Sequence, residues 1–473
     1  MKKIITNILI LILITYTLIS TYVLSQILPL GILSNKYLIL IFTIYLITQF
    51  IGYCVIFSKY TNILIKIIVG IFTIIGILIS LFTLNYLNVT NNAMNNILAK
   101  DHQLDTYYVI VNNETKYEEI KDLKDKTIGI YENDSINYDK AIKDINKTIN
   151  IKEIKKDNLI DIGKMFKNKE IDSLLVNSSN LENLENNISG FSENYKKIYE
   201  IEYKITTEKL NKEVNVQKQS FNVLISGVDI YGKISNVSNS DVNIVATVNP
   251  NTHEILLTVI PRDYYVHLHG KDGIRDKLTH AGVYGINTSV KTIENLLDID
   301  INYYVRVNFT TLIKAVDTIG GVTIYNDIPF KHKYYFKKGE IHLNGDMALS
   351  YSRERKQFAS GDVQRGKNQQ KVLTAIINKV TTSNTIIKNY KDIMNTLSSS
   401  FETNLSKDEI YSLINLQIDK MPKWNVKSIN VTGYDSSNYT YSYKRQLLYV
   451  MEPNYETVKK ATAKIKETMD QIS

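Results

Sequence analysis

Three apolar runs, 4–24, 37–57 and 62–87, open the sequence and narrow what it can fold into. Each is long enough to cross a hydrocarbon core, which takes about 20 helical residues. Backbone groups in lipid must be bonded internally, so all three are expected as helices. A cleaved signal peptide would account for the first run only, and no small-residue cleavage site stands before Asn35. Lys2, Lys3, Lys59 and Lys66 fall on one side of this anchor and Lys36 alone on the other. The positive-inside rule therefore places the N-terminus in the cytosol and everything after about Leu87 outside, as in a multi-pass cell-membrane protein. No charged residue lies mid-span, which argues for an anchor rather than a transport path. The one cysteine, Cys54, falls inside the membrane, which excludes an intramolecular disulfide and cysteine catalysis outside.

The chain has 473 residues, 44% of them hydrophobic, enough for two folded units beyond an anchor at 1–98. The net charge of +8 is spread along the sequence, as in a solvated surface. Few residues face the cytosol, and no helix-turn-helix stands among them, so no nucleic acid partner is expected. Residues 99–212 alternate strand-like stretches (106–111, 127–132) with helical spacing (136–147, 158–170) and predict a small α/β accessory domain of βαβ type. Within 158–170, Ile162, Met165 and Phe166 share a face. The stretch "DLKDKTIGIYEND" faintly resembles the opening of a solute-binding-protein lobe. Residues 213–219 read as a polar linker.

From 220 to 473 the pattern predicts a second α/β domain. The runs 221–228, 242–248 and 255–260 are apolar and β-branched, as suits strands buried on both faces. Helices are expected at 288–298, at 310–319 ending on Gly320 and Gly321, and from Asp362 to about Val380, with a strand at 301–309. Together these give a mixed sheet with helices on both faces.

Four clusters in this domain carry chemistry. Asp229 follows one buried strand and Asp241 precedes the next, so neighbouring strands would bring both carboxylates to one rim. Hard oxygen ligands there suit magnesium, although aspartate is also common in turns. Pro261-Arg262-Asp263 stands at the tip of the third strand, where Arg262 can grip a phosphate with two parallel N–H bonds. Arg353 and Arg355 fall two apart, on one face if the segment is extended. Asp362 is placed to cap a helix on which Arg365 and Gln369 lie one turn apart, near a dipole that favours phosphate. His267 and His269 have no third ligand nearby and read as exposed strand residues. Motifs of zinc proteases, serine hydrolases and P-loop enzymes are missing from the sequence.

The motifs "LISGVD" (224–229), "SD" (240–241), "IPRD" (260–263), "DKLTHA" (276–281), "DTIGGVTI" (317–324), "LNGDMALSYSRER" (343–355) and "GDVQRGKNQQ" (361–370) together resemble the LytR-CpsA-Psr family of cell-wall phosphotransferases. The resemblance covers about 220 to 470, and three membrane helices followed by an accessory domain match one layout within the family. It implies a mixed sheet flanked by helices, with an apolar slot for a polyprenyl tail that the helix 288–298 or the strand 301–309 would line. It also implies transfer of a glycopolymer from undecaprenyl pyrophosphate onto a peptidoglycan acceptor, with undecaprenyl phosphate released. On that resemblance Asp229 and Asp241 would bind Mg2+, and Arg262, Arg353, Arg355 and Arg365 would hold the pyrophosphate. Gln369 and Lys277 match further positions of the same motifs and would join the pyrophosphate site, and Asp263 completes the catalytic set with Arg262, Arg353 and Arg365; either Asp263 or Asp229 would take the acceptor's proton. Asn239 and Asn368 stand where the family usually carries arginine. Those two departures keep two other functions in view, a non-catalytic binder of lipid-linked glycan or wall polymer and a pyrophosphatase of the same lipid.

Overall fold

The computed structural model describes residues 2–31, 33–98, 102–132, 136–207, 210, 212–228, 234, 236–358, 361–382, 390–443 and 446–472. The three apolar runs form α1 (Lys2–Ile27), α2 (Asn35–Phe57) and α3 (Ile63–Ile97), each long and apolar enough to span a membrane. Their outward side chains are apolar and exposed, as lipid-facing surfaces require, while Leu13 and Ile56 are sealed between the helices. The third helix continues ten residues beyond the apolar run that predicted it, to Ile97.

The accessory domain comprises β1 (His102–Asn112), β2 (Thr127–Tyr131), α4 (Ile136–Thr148), β3 (Lys152–Lys156), α5 (Leu159–Lys167), β4 (Ser173–Asn177), α6 (Ser178–Asn187) and β5 (Tyr195–Thr206). The predicted βαβ unit is present: β2 runs parallel to both β3 and β4. In the sheet order β3-β2-β4-β1-β5, the strands β1 and β5 add an antiparallel half. Ile162 and Phe166 are sealed in the core and Met165 packs at its edge.

The C-terminal domain continues with β6 (Phe221–Val228), β7 (Ser240–Asn249), β8 (Glu254–Ile260), β9 (Tyr265–Val266), β10 (Asp276–Lys277), α7 (Ile286–Leu297), β11 (Tyr303–Asn308), α8 (Phe309–Thr318), β12 (Val322–Asn326), β13 (Phe330–Lys331), β14 (Tyr335–Phe336), β15 (Gly339–Leu343), α9 (Gly345–Arg353), α10 (Gly361–Thr382), α11 (Tyr390–Ser400), β16 (Phe401–Thr403), α12 (Lys407–Lys420), β17 (Asn425–Asn430), β18 (Gly433–Tyr439), β19 (Leu447–Pro453) and α13 (Tyr455–Asp470). Its main sheet has the order β16-β11-β6-β7-β8-β17 and is mixed: β11 and β17 pair parallel, the others antiparallel. Alternation sends Val223, Ile244 and Leu257 to one face, against α10 and α12. It sends Leu224, Val245 and Leu256 to the other, against α7 and α13. Burying each of these side chains contributes about 1.5–3 kcal/mol, which is why the strands read as unbroken apolar runs. Gly320 and Gly321 close α8 with φ of 75° and 77°, and Gly321 N–H returns to the Val316 carbonyl at 2.8 Å.

The stretch 213–219 does not hang free. Val216 is buried, Val214 N–H reaches the Tyr303 hydroxyl, and the neighbouring Lys212 is paired with Glu294 and Asp300, both at 2.5 Å. The accessory domain docks firmly as well. Gln103 Oε1 accepts from Ile286 N–H at 2.8 Å, satisfying a donor at the start of α7 that no helical carbonyl can reach. Val237 N–H donates to the Leu104 carbonyl at 2.8 Å. Tyr443, from the turn between β18 and β19, is buried in the accessory core. Its hydroxyl accepts from Asn183 Nδ2 at 2.9 Å and donates to Asn180 Oδ1 at 3.1 Å.

Candidate functional site

The site forms where β7 begins and β8 ends. The two strands are neighbours, with Asn243 opposite Ile260, so Asp241 and Pro261-Arg262 project from one rim. Arg262 Nη1 donates to Asp241 Oδ2 at 2.6 Å. Thr279 Oγ1 donates to Asp241 Oδ1 at 3.0 Å, and Thr279 N–H is fixed by the Arg262 carbonyl at 2.8 Å. Thr279 sits in a tight turn, 278–284, pressed against the backbone before β7. A Cβ on Gly282 would lie 2.3 Å from the Ser238 carbonyl oxygen, so only glycine lets that turn approach.

Behind this rim Asp263, 3% exposed, accepts from Lys277 Nζ at 2.9 Å. Burial pushes the Asp263 carboxyl up, but Arg262, Lys277 and Arg365 outweigh it and hold it below the ordinary carboxylate range. Asp276 is held low in the same sense: burial raises it, and His280, 2.6 Å away, together with the Ser442 hydroxyl and the Lys277 N–H, lowers it more.

The opposite wall is α10. Arg365, Gly366 and Gln369 face Asp241 and Arg262 across a narrow cleft with a water-sized open volume of ≈ 10 Å³, floored by Val259, Ile260 and Val431. Arg365 is buried. The helix is tied to the end of α9: Asn368 Nδ2 donates to the Tyr351 carbonyl at 3.2 Å and Gln369 Nε2 to that of Ser352 at 3.4 Å.

Of the residues predicted from sequence, Asp241, Arg262, Arg365 and Gln369 thus line one cleft, and Asp263 and Lys277 adjoin it. Arg353 is the next residue after Ser352, with its side chain exposed. Arg355 lies exposed in the following turn and does not line the cleft. The expectation of an extended 353–355 segment is corrected, because Arg353 is the last residue of a helix and Glu354 its C-cap. The cause is Asn344, whose side chain caps that helix by accepting from Met347 N–H. The cap predicted at Asp362 shifts too, since α10 opens at Gly361 and Asp362 falls in its first turn. Asp229 lies outside the described residues. His267 and His269 are exposed, in a loop after β9 rather than in a strand. The helix expected to line a tail slot has Val290, Ile293 and Leu297 fully buried in the packed core, and β11 adds Tyr304 to the same cluster.

Three functional supports escaped the sequence reading. Thr279 sits in the quoted "DKLTHA" stretch, but a hydroxyl partner for an acid leaves no periodic signal. Arg306 is 2% exposed inside β11 and donates to the carbonyls of Ile234 and Asn236, at 2.7 and 2.8 Å. It thereby fixes the segment leading into β7. Its signal was a lone charge in an apolar strand. Asn368, read as a lost arginine, is 1% exposed and serves as a structural tie beneath the cleft.

A partly buried acid bonded to an arginine, faced by a second arginine on a helix and set beside an apolar floor, makes a cleft with the chemistry of an anion site, in a chain that also carries three helices long and apolar enough to cross a membrane. The description LytR_cpsA_psr family matches residues 188–464, and this chain belongs to that family. Among its relatives, the polyisoprenyl-teichoic acid–peptidoglycan teichoic acid transferase TagU of Bacillus cereus is 37% identical over 205 residues, 43% of this chain and 66% of that protein. The TagU of Bacillus subtilis is 38% identical over 210 residues, 44% of this chain and 67% of that protein. The chain thus spans about two-thirds of these relatives' length. The crystal structure of Bacillus subtilis TagV is 30% identical, with a TM-score of 0.45, covering 54% of this chain and 99% of that one.

Proposed function

We propose that this protein transfers a glycopolymer from undecaprenyl pyrophosphate onto peptidoglycan outside the cell. The observation that carries the reading is the facing pair Arg262 and Arg365 in one cleft with Asp241. Two guanidiniums on rigid elements suit a pyrophosphate, which offers oxygens to both. The family, and the transferases that the chain resembles, support the same chemistry. The basic residues at the cytosolic ends of the membrane helices support an outward-facing catalytic domain.

In the reaction, an acceptor hydroxyl attacks the phosphorus nearer the sugar. A new P–O bond to the acceptor forms as the bond to undecaprenyl phosphate breaks, and the hydroxyl proton passes to a carboxylate or to water. Phosphoryl transfer is governed by positioning and charge stabilisation. Arg262 and Arg365 neutralise the pyrophosphate and the charge gathering on the leaving group. Gln369 adds a neutral donor, and Arg353, next to the Ser352 carbonyl that Gln369 binds, extends the cationic wall. Arg262 and Lys277 hold the Asp263 carboxyl below the ordinary carboxylate range, which disfavours it as the proton acceptor. Its part is to position those two cations.

Asp241 fits a hard cation: each oxygen accepts one bond from the protein and keeps a further lone pair. Together with Asp229, which lies outside the described residues, Asp241 would hold Mg2+, which supplies charge neutralisation at the pyrophosphate.

The test is transfer of labelled lipid-linked glycan to peptidoglycan by the purified chain. Transfer by the natural protein, strongly reduced in Arg262→Ala and Arg365→Ala, is expected. Water release of the glycan instead of its transfer would replace this reading with hydrolysis.

A further inference from the structure

The two-stranded ribbon β18–β19 grows directly out of the catalytic rim. Met451 N–H donates to the Asp263 carbonyl at 2.7 Å, and the Tyr265 hydroxyl donates to the Tyr439 carbonyl at 2.7 Å. Cross-strand pairs Tyr439–Leu447, Ser437–Tyr449 and Asp435–Met451 put these six side chains on one face. Met451 is buried at the base, but Tyr439, Leu447 and Tyr449 are 51%, 59% and 44% exposed. The other face is used: Val450 is sealed and Leu448 packs on the accessory core. On the aromatic face Met451 anchors the base in the core, and beyond it Tyr439, Leu447 and Tyr449 stand exposed. Two tyrosines and a leucine exposed side by side on one face of a ribbon offer an apolar surface that a ligand can cover.

The patch leads into the site. Lys277 Nζ, bonded to Asp263, lies 5.8 Å from the centre of the Tyr449 ring. The Tyr449 hydroxyl donates to Asp435 Oδ1 at 2.6 Å, which fixes the orientation of a ring that is 44% exposed. Rigid tyrosines supply apolar contact at small entropic cost, with a polar edge for hydrogen bonds. Flanked by the Asp435 carboxylate and the Ser437 hydroxyl, such rings suit the C–H face and hydroxyls of a pyranose.

We propose that the Tyr439–Leu447–Tyr449 face is the platform for the acceptor, a peptidoglycan glycan strand, and delivers its hydroxyl to the cleft. The occupant follows from position and charge. The anchor touches the helices on the first face of the sheet: Lys36 pairs with Asp419 at 2.5 Å, and Asn415 donates to the Gly31 carbonyl. The ribbon joins the second face, where Met451 lies with Val290 and Ile465. A donor tethered to the membrane and an acceptor in the wall thus reach the cleft from different sides. The two strands carry Asp435 and Glu452 and no Lys or Arg, a poor match for a phosphate-rich polymer.

The proposal rests on the neighbouring cleft being the place of transfer, and its test is separable. Purified full chain in detergent is titrated with peptide-free peptidoglycan glycan strands and, in a second arm, with poly(glycerol phosphate). The natural protein is expected to bind the strands, and Tyr439→Ala combined with Tyr449→Ala to weaken binding at least ~10-fold, with Tyr439→Phe restoring it. Tyr434→Ala, on the other face, leaves it unchanged. In transfer, the double variant raises the acceptor KM and leaves the donor KM alone. Strand binding indifferent to both tyrosines, or a loss confined to poly(glycerol phosphate), overturns the platform. Tyrosine-dependent strand binding by a chain without transfer activity would uphold the platform and sink the transfer reading.

Discussion

Arg262 and Asp241 meet at 2.6 Å although 21 positions separate them, because antiparallel pairing brings the end of β8 beside the start of β7. The contact is mostly shielded from water, so neither partner is easily spared. Removing the guanidinium leaves a carboxylate that has lost its charge partner in a site built for an anion.

Arg262→Ala is therefore expected to lower transfer by about 10²–10³-fold, the usual cost of one electrostatic contact to the transition state. Arg355→Ala, outside the cleft, should stay within a few-fold of the natural protein. Initial rates with saturating acceptor measure both.

Asp263 makes the pH dependence specific. Its folded proton affinity is lowered, so its contribution to stability is complete above the unfolded value of about 4 and is lost as pH falls through the folded value. Transfer should hold constant across pH 5–7 as far as this group is concerned. A pH–rate profile whose acid limb shifts upward in Lys277→Met would confirm that Lys277 helps keep Asp263 ionised.

Asn368→Leu tests the tie between α10 and α9. It leaves the Tyr351 carbonyl and the Gln364 amide without their partner, at about 1–3 kcal/mol for a buried group. Thermal unfolding in detergent should move down by several degrees. An unchanged transition would show that the position tolerates an apolar residue as readily as the asparagine.

Tyr443→Ala should loosen the accessory domain, since a fully enclosed aromatic and its two hydrogen bonds vanish at about 3–5 kcal/mol. The adjacent Ser442 holds Asp276 through its N–H and hydroxyl, at 2.9 and 2.6 Å, so the loss reaches the Lys277 strand. Faster proteolytic cutting between Thr206 and Phe221 is the expected readout.

Chelation of divalent cations is expected to suppress transfer, with magnesium restoring it, and Asp241→Asn to raise the magnesium concentration needed. Activity indifferent to chelator would remove the metal from the scheme.

The sequence disclosed most of the scaffold because burial leaves a period. The strands β6, β7 and β8 appear as apolar runs, and α7 as spaced Val290, Ile293 and Leu297. Arg262, Arg365 and Asp241 were visible through their places at strand tips and a helix start. The helical state of Arg353 was not visible, because "SYSRERK" carries no apolar period and its cap lies nine residues upstream at Asn344. Nor was the Tyr443 clasp: it joins positions about 260 apart, and only tertiary structure brings them together.

The third membrane helix does more than cross the bilayer. Its 35 residues measure about 52 Å at ~1.5 Å per residue, against roughly 30 Å of hydrocarbon. The surplus ends in Ala93, Met94 and Ile97, clamped against Met394 and Tyr411 of the catalytic domain. That makes the helix a mast of set height. For the lipid-linked donor of the proposed reaction, whose headgroup cannot rise far from its leaflet, the length of the mast would decide whether the pyrophosphate reaches the arginines. Inserting one helical turn would lift the cleft by about 5 Å with little change of facing, and transfer from a membrane-bound donor is expected to fall.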